Sequence, residues 1–278
     1  MRRRRIAIAV AIAFGFLFSV PASDAQSPAA PEANPADIAQ AITLVCPGHE
    51  VTLSEDGIVD GCKSCPDGTD LYEKSAESWL LQRAISGRFT SKQDENLLLQ
   101  GTGCDSPNNS AGGTFVFVAK AGQISLLKYA EGFSIEGCGK FSYLDGSNAL
   151  VCRLKSSSQE WIREVVTIVR FDATGAYCPQ YLFLARDTTG ECAQRPREPV
   201  EESRIIDVQF SRSSSGALSG LTVTATYRSV KCSQLASQNK NRTYKVRFVF
   251  NGKRFKVALK GKEAYDLFFS PVVTVETS

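Results

Sequence analysis

Four residues near the start of the chain have the spacing of a metal site. Cys46 and His49 are separated by two residues, twelve more follow, and Cys62 and Cys65 are again separated by two. That is the ligand spacing of a four-ligand zinc ribbon. The same thiols can instead oxidise in pairs, and in an exported chain a disulfide knot is the expected state, with no metal and no cofactor. Pro66 stands where a C-x-x-C haem motif places its axial histidine. No βαβ pattern surrounds the pair to make a thioredoxin-like redox centre.

His49 is the only histidine in the protein, so a Ser-His-Asp or Cys-His arrangement has one possible base. No nucleophile elbow, phosphate-cradling glycine loop or H-E-x-x-H motif accompanies it. Carboxylates are more plentiful. Asp94, Glu95, Asp145, Glu160 and Glu164 could supply the acid pair of a glycosidase-type hydrolase, although acids of this kind are usually solvated surface groups. No catalytic residue is assigned. A secreted carboxylate-dependent hydrolase stands as the alternative to a non-catalytic binding or scaffolding protein.

The binding signal is a segregation of charge. From Lys231 to Lys262 there are ten basic residues and no acidic one. Within that stretch Asn251-Gly252 is a type I′ turn signal flanked by alternation, so Thr243–Phe250 and Lys253–Leu259 are expected to pair as a hairpin. A two-residue loop would set Phe248 opposite Phe255, Val246 opposite Val257 and Tyr244 opposite Leu259 on a core face. Lys245, Arg247, Arg254 and Lys256 then share the other face, a candidate anion-binding surface. Its partner would be an anionic polymer, a lipid headgroup or an acidic protein. The plainer alternatives are edge protection by solvated charges, or pairing with Glu198, Glu201, Glu202 and Asp207.

Total charge does not explain this patch. The chain has 32 basic and 29 acidic side chains among 278 residues. The whole excess of three lies in residues 1–25, which hold four arginines and Asp24. No nucleic-acid partner follows from so balanced a remainder. Arg2 to Arg5, the apolar run Ile6–Val20 and the small residues Ser23-Asp24-Ala25 have the order of a signal peptide. The run is shorter than the ~20 residues of a spanning helix. The expected location is therefore periplasmic, cell-surface or secreted, with no transmembrane segment in the mature chain.

Nine cysteines in an oxidising compartment predict four disulfides and one leftover thiol. Cys138 and Cys152 flank a turn at Asp145-Gly146 almost symmetrically, so a hairpin would bring them together. Cys178 and Cys192 bracket another short strand and turn in the same way. Asn34 and Pro35 form a helix start, and Ile38, Ala41, Ile42 and Val45 recur at helical spacing, which predicts a short helix over Pro35–Leu44.

After Asp70 the sequence turns to β. GRFTSKQDENLLLQ from Gly87 aligns without gaps on GKFSYLDGSNALVC from Gly139, with identity at Gly87/Gly139, Phe89/Phe141, Asn96/Asn148 and Leu98/Leu150. A third copy is sought near Asp207–Phe210. This spacing predicts a repeated supersecondary unit. Over residues 87–152 the unit resembles a degenerate FG-GAP-type β-propeller repeat, and residues 46–70 resemble the small cysteine-rich repeats of extracellular receptors. The propeller resemblance implies stacked antiparallel units. Its usual calcium loops are not expected, since Ser91–Asp94 and Leu144–Ser147 hold one carboxylate each, fewer than a calcium site needs.

The expected fold class is mainly β, with antiparallel hairpins in repeated units, partial-propeller or sandwich, plus a short N-terminal helix and a disulfide-rich knot. The expected organisation is a signal peptide at 1–25, a flexible leader at 26–35, the helix and cysteine-rich unit at 36–70 and a β-repeat domain at 71–278.

Overall fold

The computed structural model describes residues 33–66, 78–104, 113–157, 161–194, 197, 199–213, 218–234, 241–258 and 262–268. The signal peptide, the leader up to residue 32, Glu160, Glu198 and Leu259 lie outside the described residues.

Helix α1, Pro35–Val45, starts where the sequence signals it. The Asn34 side chain accepts the Ala36 amide at 3.0 Å, Pro35 supplies a pre-set φ at the first position, and Asp37 favours the positive end of the helix dipole. It buries Ala41, Ile42 and Val45.

Six strands follow in sequence order as one antiparallel meander: β1 Val51–Leu53, β2 Val59–Cys62, β3 Trp79–Gly87, β4 Glu95–Thr102, β5 Gly113–Lys120 and β6 Gln123–Glu131. The cysteine-rich unit is therefore part of this sheet: Gly61 and Cys62 of β2 pair with Leu80 and Trp79 of β3. Cys46 bonds Cys62, and Cys65 bonds Cys104, two residues beyond the end of β4.

Eight strands make a second meander: β7 Cys138–Ser142, β8 Asn148–Ser157, β9 Ile162–Phe171, β10 Tyr177–Asp187, β11 Pro199–Arg212, β12 Leu218–Lys231, β13 Arg242–Phe250 and β14 Phe255–Val257. The strands thus gather into two long sheets, with no ring of four-stranded blades among the described residues. The matched segments also differ in register, since Gly87 lies opposite Asn96 whereas Gly139 lies opposite Val151.

The two sheets pack as a sandwich, and the apolar runs explain why. In β4, Leu97 and Leu99 face α1 with Phe115 and Phe117 of β5, while Leu98 and Val116 face the other way. There they meet Leu150, Cys152, Val169 and Phe171 of the second sheet. The alternate residues Ala149, Val151, Val166 and Ile168 line a third core with Val223, Val246 and Phe248. Strands buried on both faces need continuous apolar runs instead of alternation. Cations also tie the layers: Lys140 donates to the Ser86 carbonyl at 2.7 Å, and Arg83 to the Cys138 carbonyl at 2.7 Å.

The second sheet curls until its edge strands meet. The Phe141 ring of β7 lies 5.6 Å from Phe250 and 5.8 Å from Phe255. Helix α2, Lys262–Phe268, fills the concave side, with Phe268 against Phe183, Tyr227 and Tyr244.

One expected cysteine pair is corrected. Cys138 bonds Cys152, its direct partner across β7 and β8. Cys192, however, bonds Cys232, and Cys178 is free and exposed. The expected turn after Cys178 does not form. β10 continues to Asp187, and at ~3.3 Å per residue this carries the chain roughly 30 Å from Cys178. A disulfide needs Cα atoms within about 7 Å.

Candidate functional site

The C-terminal hairpin forms with a wider turn than Asn-Gly alone suggests. The Asn251 side chain accepts the amides of Lys253 and Arg254, at 3.1 and 2.9 Å, and Gly252 takes a φ of +87°. This opens a four-residue loop, and the register becomes Phe248 opposite Val257, Val249 opposite Lys256 and Phe250 opposite Phe255. The two-residue-loop register is thereby corrected. The shift is two residues, so parity survives: Val246, Phe248 and Phe255 remain buried and Lys245, Arg247 and Lys256 remain exposed.

What changes is the company of the charges. Lys256 is opposite Val249 instead of Arg247, which removes the direct like-charge pair. Lys245 and Arg247, ~6.6 Å apart along one strand, sit beside Thr224 and Thr222 of β12. Arg254 stands in the loop, exposed. The four residues form a strip that runs along the outer face of β13 and β14 to the hairpin tip. No carboxylate of a described residue forms an ion pair with any of them. Asp207 is the acid nearest in register, but Thr224 stands between it and Lys245, which puts their backbones about 10 Å apart.

Glu202, one of the acids offered as a partner, is engaged elsewhere. Glu202 receives Arg228 Nε at 2.6 Å and lies 3.8 Å from Arg204, and Arg204 reaches Asp187 at 3.0 Å. Among the described residues, the carboxylates offered for a hydrolase each face a cation: Asp94 with Lys120 at 3.4 Å, Glu95 with Arg88 at 3.1 Å, Asp145 with Lys92 at 3.0 Å and Glu164 with Arg153 at 3.4 Å. The Ser147 hydroxyl and amide, with Lys92, lower Asp145 to about 2. A general acid of a hydrolase requires the opposite shift. A cavity lined by Gly139, Lys140, Phe141, Phe210, Arg212 and Leu218 encloses about 10 Å³, room for one water and no substrate.

The ribbon spacing resolves into sulfur chemistry. Cys46, Cys62 and Cys65 are all bonded in disulfides, and the His49 Nδ1 lies 2.9 Å from the Thr43 carbonyl. Among the described residues no three potential metal ligands cluster. Four disulfides are the mark of a chain that folds in an oxidising compartment outside the cytosol. No helix of the described residues is long and apolar enough to cross a membrane.

Two residues at the strip's end escaped sequence reasoning. Leu144 is 85% exposed in the β7–β8 turn, and Arg170 joins that turn to the β13–β14 loop by donating to the Tyr143 hydroxyl at 2.9 Å and the Lys253 carbonyl at 3.4 Å. The only local signal was a leucine inside an otherwise polar bend. Compared with family models, with curated proteins and with solved structures, the chain matches none.

Proposed function

We propose that the chain is an exported, non-catalytic β module that binds an anionic partner through Lys245, Arg247, Lys256 and Arg254, in the periplasm, at the cell surface or in the medium. One observation carries the reading: these four cations are exposed and no carboxylate of a described residue forms an ion pair with them, while Glu202 and Asp187 are held by Arg228 and Arg204. A solvated charge needs no partner, but an uncompensated strip concentrates anions near it. Export is supported by the four disulfides and by the order of basic, apolar and small residues over 1–25.

The test is retention on an immobilised polyanion across a salt gradient. Lys245→Glu combined with Arg247→Glu is expected to abolish retention at moderate salt and to leave the urea midpoint unchanged, since both side chains point to solvent. Retention that ignores salt, or that survives the double reversal, would overturn the reading.

A further inference from the structure

We propose that the partner is an anionic lipid surface, which the protein meets with the tip of the basic strip and into whose interface Leu144 inserts. The inference rests on the reading of the strip as an anion-binding surface and adds the identity of the anion's carrier.

Leu144 is the most exposed large apolar side chain among the described residues, at 85%. It is held out by a rigid turn: the Tyr143 amide donates to the Ser147 carbonyl at 2.8 Å, and Asp145 Oδ1 accepts the Ser147 amide at 3.0 Å and its hydroxyl at 2.6 Å. Little conformational freedom is left to lose when this side chain is buried. Leu144 also lies against Gly252, where a Cβ would collide with it. The leucine is therefore packed on the loop that carries Lys253 and Arg254.

Arg170 adds a third cation at the same place. Its guanidinium stacks on the Tyr143 ring, 4.5 Å from the centroid, and bonds the Tyr143 hydroxyl. Two acids stand nearby. Asp145 is neutralised by Lys92 at 3.0 Å, and Asp172, in the turn after β9, accepts the Thr174 hydroxyl at 2.6 Å and amide at 2.8 Å. The tip thus combines an exposed leucine, a half-buried tyrosine and Arg170, Lys253 and Arg254, with Lys256 and Arg247 leading away from it.

A soluble acidic polymer has a use for the cations and none for the leucine. A membrane interface uses both, because headgroup phosphates attract lysine and arginine while the acyl boundary accepts an apolar side chain and an aromatic ring. Neither signal alone holds a protein on a bilayer, and their combination gives reversible docking.

Purified disulfide-bonded protein should be sedimented with phosphatidylglycerol vesicles, with phosphatidylcholine vesicles, and assayed against soluble polyglutamate. Binding is expected to phosphatidylglycerol alone of the two lipids, and to weaken with salt. Leu144→Ser should weaken vesicle binding about tenfold and leave polyglutamate binding unchanged. Lys253→Glu with Arg254→Glu should weaken vesicle binding at least about 25-fold, each lost cation counting for about fivefold. Near-ultraviolet circular dichroism identical to the parent would show that these exposed substitutions spare the fold. Polyglutamate binding without vesicle binding, equal binding to both lipids, or vesicle binding indifferent to Leu144 would overturn the lipid inference and leave the anion-binding reading standing. Binding to neither vesicles nor polyglutamate would overturn both.

Discussion

Glu164 accepts the backbone amide of Ile205 at 2.7 Å across a gap where neighbouring strands do not pair. β10 and β11 share a ladder position only at Asp187 and Glu202. Beyond it Ser203 Oγ takes the Arg186 amide at 2.6 Å and donates to the Arg186 carbonyl at 2.7 Å. Arg153 of β8 then donates to the Ile205 carbonyl at 2.5 Å. Side chains from β8, β9 and β11 thus supply the bonds that a regular ladder would otherwise make between β10 and β11, and the eight-stranded sheet stays continuous there.

The consequence is a graded loss of stability at Glu164. Glu164→Ala strands a buried N–H and leaves Arg153 without its carboxylate, which should cost about 2–4 kcal/mol. Glu164→Gln keeps an acceptor for Ile205 and should cost about half as much. Urea denaturation of both variants checks this. Equal losses would mean that the charge, and not the substituted ladder, holds the seam.

Acid should weaken the fold through three aspartates. In Asp187, burial raises the carboxyl, but the Thr189 hydroxyl and amide and Arg204 outweigh it and hold it low. The Thr174 hydroxyl and amide lower Asp172, and Ser147 with Lys92 holds Asp145 at about 2. A lowered folded-state value means that the stabilisation is complete above the ordinary carboxylate range and is lost as pH falls through the folded value. The urea midpoint should stay level down to about pH 5 and drop between roughly pH 4 and pH 2. Asp187→Asn should make that drop shallower. A midpoint that is flat to pH 2, or a drop unchanged in the variant, would contradict the assignment.

Local signals were legible in the sequence where their causes are local. Asn34 and Pro35 mark the start of α1 because a cap acts within one turn, and the hairpin kept its inward residues because a shift of two preserves parity. The runs around Leu98 and Leu150 announced strands, and their doubly buried setting follows from the absence of alternation. What could not be read depends on long-range placement. The Cys192–Cys232 bond follows from the lengths of β10, β11 and β12, and the closure of Phe141 on Phe255 from the curl of the whole second sheet. Glu164 looked like any surface acid, because its partner Ile205 is 41 residues away. At the candidate site the four cations were legible by composition, whereas the exposed Leu144 beside them depends on two turns meeting in space.

The thiol inventory is a direct check of the corrected connectivity. Native protein should react with one equivalent of maleimide, at Cys178, and proteolytic mapping without reductant should recover Cys192 linked to Cys232. Cys178→Ser should abolish labelling without shifting the unfolding midpoint, because the side chain is exposed. Cys65→Ser with Cys104→Ser releases a bond spanning 39 residues and should cost about 3–4 kcal/mol. Labelling at Cys192 would overturn the Cys192–Cys232 bond, and a Cys178–Cys192 peptide with labelling at Cys232 would restore the original expectation.

Gly101 gives the sharpest packing test. It lies in β4 directly beneath the Trp79 indole, so closely that a Cβ there would overlap the ring. Trp79 is 3% exposed and meets Phe115 edge-on at 5.7 Å. Gly101→Ala must therefore displace the indole or the strand, and overpacking of this kind costs about 1–3 kcal/mol. Trp161, half-buried under Arg163 at 4.4 Å, is the other tryptophan, so the measurement belongs in a Trp161→Phe background. There Gly101→Ala should lower the urea midpoint and move the remaining emission to longer wavelength as Trp79 gains water. A lowered midpoint with unmoved emission would mean that the backbone of β4 had yielded and the indole had kept its place.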